Sequence, residues 1–118
     1  MLSPLKKLPK TPAYSQNGLD GYAYPIENET FETYFIEVRQ GHDDFIVSRV
    51  CTHIYHVIDG KGSFTVDGKR YEAKPGMLFE IPPGIEFTFS GAMHLLLIMT
   101  PPWFEGNAKI TRKNPDVS

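Results

Sequence analysis

Gly41-His42-Asp43-Asp44-Phe45-Ile46-Val47-Ser48-Arg49-Val50-Cys51-Thr52-His53-Ile54-Tyr55-His56-Val57-Ile58-Asp59-Gly60 is the stretch that decides the fold. It is rich in β-branched and aromatic residues, as strands are. A glycine marks each end, and no helical period runs through it. The pattern continues on both sides. Phe31 to Val38 reads as a strand before it, with a turn at Gln40 to Asp44. After it come a glycine-rich turn at Asp59 to Gly62 and short strands at Ser63 to Val66 and Lys69 to Ala73. Asp67-Gly68 between them is a hairpin signal, because a type I′ turn needs positive φ at both central residues. Met77 to Ile81, Ile85 to Phe89 and Met93 to Met99 complete the set, punctuated by Lys74-Pro75-Gly76, Pro82-Pro83-Gly84 and Ser90-Gly91. Short strands at this turn spacing predict an all-β antiparallel sandwich or barrel.

The ends read differently. Pro4, Pro9, Pro12 and Pro25 crowd the first 25 residues, and proline blocks ladder hydrogen bonds, so an irregular arm is expected over 1–25. Pro101-Pro102 stops the strands, and 102–118 reads as a polar trailing tail. One domain of 118 residues with a barrel core of about 31–101 is the expected organisation.

Composition excludes several function classes. A net charge of −2 and a pI near 6.0 give no basic footprint for nucleic acid. The longest apolar run, Ala92 to Met99, is far short of the ~20 residues of a membrane helix. One cysteine, Cys51, allows no internal disulfide, and with no secretory leader a cytoplasmic location is expected.

Two spacings carry a family resemblance. The first is Gly41, five residues, Val47, Ser48, Arg49, three residues, His53, six residues, Gly60. The second is Gly76, five residues, Pro82, Pro83, Gly84, two residues, Phe87. Together they resemble the cupin motifs G-x5-H-x-H-x3,4-E-x6-G and G-x5-P-x-G-x2-H-x3-N. The resemblance covers roughly Phe31 to Pro101 and implies a double-stranded β-helix, the cupin jelly-roll barrel. It also implies that Val47, Arg49, His53 and Phe87 occupy the four metal-ligand positions and aim inward. Three of these cannot ligate a metal, so no metal and no cofactor are expected.

Alternation then adds Cys51, Tyr55, Val57 and Phe89 to the inward set. Arg49 is the expected anchor for an anionic ligand, or half of a buried ion pair. His53 is a polar contact, a general acid or base, or a satisfied core histidine. Tyr55 shares its face. Val47, Phe87 and Phe89 form apolar walls. His42 reads as a solvated turn residue. The expected function is a barrel that binds a small anionic organic molecule. The alternatives are a metal-independent isomerase or epimerase of a sugar or sugar nucleotide, working through His53 and Tyr55, and a metal enzyme with non-standard ligands. Ile54 and Ile58 fall on the outer face, which predicts that a second subunit or the N-terminal arm covers them. A homodimer is expected.

Overall fold

The computed structural model describes residues 3–118, and among them there is no helix. The strands are β1 (Tyr14–Ser15), β2 (Leu19–Ala23), β3 (Glu32–Val38), β4 (Asp44–Ser48), β5 (Thr52–Val66), β6 (Lys69–Ala73), β7 (Leu78–Ile81), β8 (Glu86–Thr100) and β9 (Ala108–Lys113). All pairings are antiparallel. The sheet runs β1-β2-β3-β8-β4-β9, and β5 pairs with β8 while carrying β6 and β7 on its other edge.

β5 and β8 form the spine. They pair from Thr52↔Thr100 to Val66↔Phe87, so each must bend to serve both ends of the barrel. Gly62 pairs with Gly91 at the bend. Gly91 holds φ +126°, and a Cβ there would stand 2.5 Å from the Gly62 Cα. Only glycine fits so close an approach. The hairpin from β5 to β6 turns on Asp67 (φ 52°) and Gly68 (φ 78°), the positive pair that a type I′ turn requires.

The barrel is larger than the sequence implies. The segment 1–25 contains β1 and β2, and β2 pairs with β3 from Leu19↔Val38 to Ala23↔Tyr34. The prolines flank this stretch without interrupting it, and Leu19 and Gly21 turn inward and are buried. The expected tail contains β9, which pairs with β4. Its charged side chains face solvent, which makes the sequence look like a tail. Two buried asparagines anchor it. The Asn107 amide donates to Ser48 Oγ at 2.8 Å, and the Asn114 amide donates to the carbonyls of His42 and Phe89 at 3.0 and 3.1 Å.

Candidate functional site

Inside the barrel, a cavity of about 530 Å³ is lined by β3, β4, β5, β8, β9 and the segment around β1. Its walls mix apolar side chains (Ile46, Leu97, Met99, Ile110) with Tyr14, Gln16, Tyr34, His42, Asp44, His53 and Tyr55. Trp103 stands beside it, 42% exposed. No lysine or arginine lines it. An apolar cavity with a few convergent polar groups is the usual form of a small-molecule site.

His42 is held by two neighbours that fix its tautomer. The Gln16 amide oxygen accepts the Asp43 N–H at 3.0 Å. Its NH₂ group therefore faces His42 Nε2, 3.3 Å away. That nitrogen accepts, which puts the proton on Nδ1 and directs it to the Asp44 carbonyl at 2.8 Å; the Asp44 N–H also lies 3.2 Å from Nδ1, a contact that this tautomer leaves unmade. Burial lowers the basicity of the imidazole, opposed in part by the Asp44 bond. The result is a neutral imidazole with its Nε2 lone pair toward Gln16 in the cavity.

His53 and Tyr55 project from β5 into the same space. They stack with ring centres 6.0 Å apart. Burial pushes the His53 imidazole down to about 4, opposed in part by the Cys51 backbone and reinforced slightly by the nearby His42. His53 Nδ1 is buried without a hydrogen-bond partner. A buried polar atom left unpaired costs roughly 1–3 kcal/mol. Burial pushes the Tyr55 hydroxyl well up, with a further push from Tyr14. Tyr14 and Tyr34 meet edge to face at 5.8 Å, and the Tyr34 hydroxyl donates to Glu32 at 2.6 Å. At neutral pH the site thus holds two neutral imidazoles and protonated phenols.

The first-motif residues do not all come here. Val47 is half-buried on the opposite face of β4 from Ile46. Arg49 is exposed and touches no part of the cavity. The inward residues of β4 are instead Asp44, Ile46 and Ser48. The chain bends at Arg49-Val50, where the Arg49 N–H donates to the Asn107 carbonyl at 2.8 Å and the Val50 N–H to Asn107 Oδ1 at 3.0 Å. This bend resets the alternation, so the phase of β5 does not extend back into β4. Arg49 therefore stands outside this cavity, and it forms no ion pair among the described residues.

Phe87 and Phe89 are each 1% exposed. They pack beneath the cavity, Phe87 against His53 at 5.2 Å and Phe89 against Tyr55 at 5.2 Å. They form the layer under the site rather than its wall. His42 was expected in solvent and lines the cavity, as do Gln16, Tyr14 and Tyr34. His42 continues the inward alternation of Ile46 and Asp44, which is visible only once the structure gives the phase of β4. Nothing local marks the other three.

The donor set does not fit a metal. Among the described residues, no three His, Cys, Asp or Glu side chains stand close enough to share an ion.

Comparison with known proteins gives the fold. A cupin-domain model matches residues 45–99, the span from β4 to the end of β8. The chain has the cupin fold. No curated protein matches this chain by sequence. Several solved structures share its fold. One is Pac13, described as a nucleoside dehydratase, with 19% identity, TM-score 0.81, and 94% of this chain and 88% of that one covered. A histidine-to-glutamine variant of the Streptomyces Pac13, solved with uridine, gives 17% identity, TM-score 0.88, and coverage of 98% and 96%. The ectoine synthase of P. lautus gives 16%, TM-score 0.65, and coverage of 86% and 81%. Among the described residues, no helix is long and apolar enough to cross a membrane.

Proposed function

We propose that this protein binds a small, neutral, hydroxylated ring compound of the nucleoside class and moves protons on it. The observation that carries this reading is the pair of neutral imidazoles facing one cavity that contains no cationic side chain. A carboxylate or phosphate would find no counter-charge there, and Asp44 would repel it. Hydroxyl and amide groups would find acceptors and donors in His42, His53, Tyr55 and Gln16.

The roles follow from the hydrogen bonds. His42 Nε2 is the proton acceptor, since its tautomer is fixed and its one partner, Gln16, sits at a long 3.3 Å. Tyr55 is the donor to a ligand oxygen, because its hydroxyl stays protonated. His53 lines the cavity and takes a further ligand contact through Nε2, since its Nδ1 is buried out of reach. The fold shared with a nucleoside dehydratase, including a variant solved with uridine, supports the substrate class.

A binding barrel without turnover is the second reading. The weak basicity of His53 favours it, since a group pushed down to about 4 is a poor acid–base catalyst at neutral pH.

Calorimetric titration with uridine and with uridine 5′-monophosphate tests the proposal. Uridine should bind saturably and the phosphate more weakly. No uridine binding, or tighter binding of the phosphate, would contradict it.

A further inference from the structure

The lining of the cavity changes with depth. His53 and Tyr55 are each 3% exposed and sit at its floor. Three large apolar side chains line the same cavity yet stand partly in water: Tyr14, Trp103 and Ile110, the last 62% exposed. Tyr14 lies on β1 and Ile110 on β9, the two ends of the sheet order, and Trp103 lies on the segment that leads into β9. The mouth therefore opens between those ends, and its rim is apolar and partly aromatic. Exposed apolar side chains gathered at one opening mark a binding surface.

Trp103 is held in place without being buried. Pro101 and Pro102 precede it and restrict the backbone. After it, the Asn107 N–H donates to the Phe104 carbonyl at 3.1 Å. Asn107 itself is fully buried, with its side chain bonded to Ser48 and to the Val50 N–H. The indole thus stands at a fixed place on the rim, with part of its apolar surface uncovered.

We infer, on the nucleoside reading above, that Trp103 is the base-stacking residue of the site and sets the orientation of the ligand. The aromatic ring lies at the mouth against the indole, and the hydroxylated ring points down to His42, His53 and Tyr55. A planar base gains affinity by stacking on an aromatic side chain whatever its hydrogen-bonding edge. Hydroxyls find hydrogen-bond partners at the floor. In the reversed orientation they would face Ile110 and the indole, which offer them no acceptor.

Trp103 is the one tryptophan of the chain, so its emission reports on this side chain alone. Fluorescence titration and calorimetry test the inference on the wild type, Trp103→Phe and Trp103→Leu. The two probes are uridine and dihydrouridine, whose base is no longer planar or aromatic. Uridine should quench the Trp103 emission saturably, at the concentrations where calorimetry shows binding. It should bind the wild type about tenfold or more tightly than dihydrouridine does. Trp103→Leu should lose that preference, with the uridine Kd raised far more than the dihydrouridine Kd, and Trp103→Phe should keep most of it. Uridine that binds by calorimetry without moving the emission, or a preference that survives in Trp103→Leu, would overturn the inference and leave the nucleoside reading standing. No binding of uridine to the wild type would remove that reading and this inference with it.

Discussion

Toward the Asp67 turn, β5 and β8 enclose a packed aromatic cluster. Phe64 stacks on Phe79 at 4.2 Å and meets Phe89 at 5.1 Å. Toward Thr52 and Thr100, the same two strands carry His53, Tyr55, Leu97 and Met99 around open space. Phe87 and Phe89 form the boundary, touching Tyr55 on the hollow side. One end of the barrel is filled and supplies stability. The other is left open, with an unpaired imidazole nitrogen and lowered basicities. The difference shows where the fold gives up stability for a site.

The comparison can be broken most forcefully at the filled end. Phe64 is fully buried. Phe64→Ala should cost about 3–5 kcal/mol. Differential scanning calorimetry should show Tm falling by roughly 10–20 °C. A drop of only a degree or two would mean that this end is not the stable core.

Acid should act through the hollow end. The His53 imidazole stands near 6.5 when unfolded and about 4 when folded. Its contribution is fully present above pH about 6.5. As pH falls from there toward 4, the unfolded chain takes up a proton that the folded chain resists, and about 3 kcal/mol is lost. His42, lowered in the same direction, adds to the loss. Urea denaturation across this window should show the decline, and His53→Leu should flatten part of it. Equal slopes in both chains would remove His53 as the source.

A smaller effect is expected from the same substitution at neutral pH. His53→Leu removes the unpaired Nδ1 and should stabilise by about 1–2 kcal/mol while weakening uridine binding. Destabilisation would show that the imidazole is satisfied in solution. The smallest effect belongs to Arg49→Met. An exposed residue outside the cavity should change stability by less than about 0.5 kcal/mol and leave uridine binding intact.

How much of this was legible follows from where each constraint originates. The strand content and the hairpin at Asp67-Gly68 were readable because turn chemistry is local. His53 and Tyr55 were placed on one face because β5 alternates without a break from Thr52 to Val57. The phase of β4 was not readable. Its bend at Arg49-Val50 is held by Asn107, 57 positions away from Val50, and no local pattern reports that. His42 looked solvated for the same reason, since Gln16 reaches it from 26 positions upstream. β9 was hidden because its outward face is Lys109, Thr111 and Lys113, while only Ala108 and Ile110 line the cavity.

The central claim is that His42 and His53 are neutral, that Nδ1 carries the His42 proton, and that both meet a nucleoside-class ligand. Nitrogen-15 imidazole spectra at pH about 6.5, recorded with and without uridine, test it most directly. The account predicts two neutral rings, His42 in the Nδ1–H tautomer, and uridine-dependent shifts at both. An imidazolium signal for either ring, or spectra unmoved by saturating uridine, would contradict it.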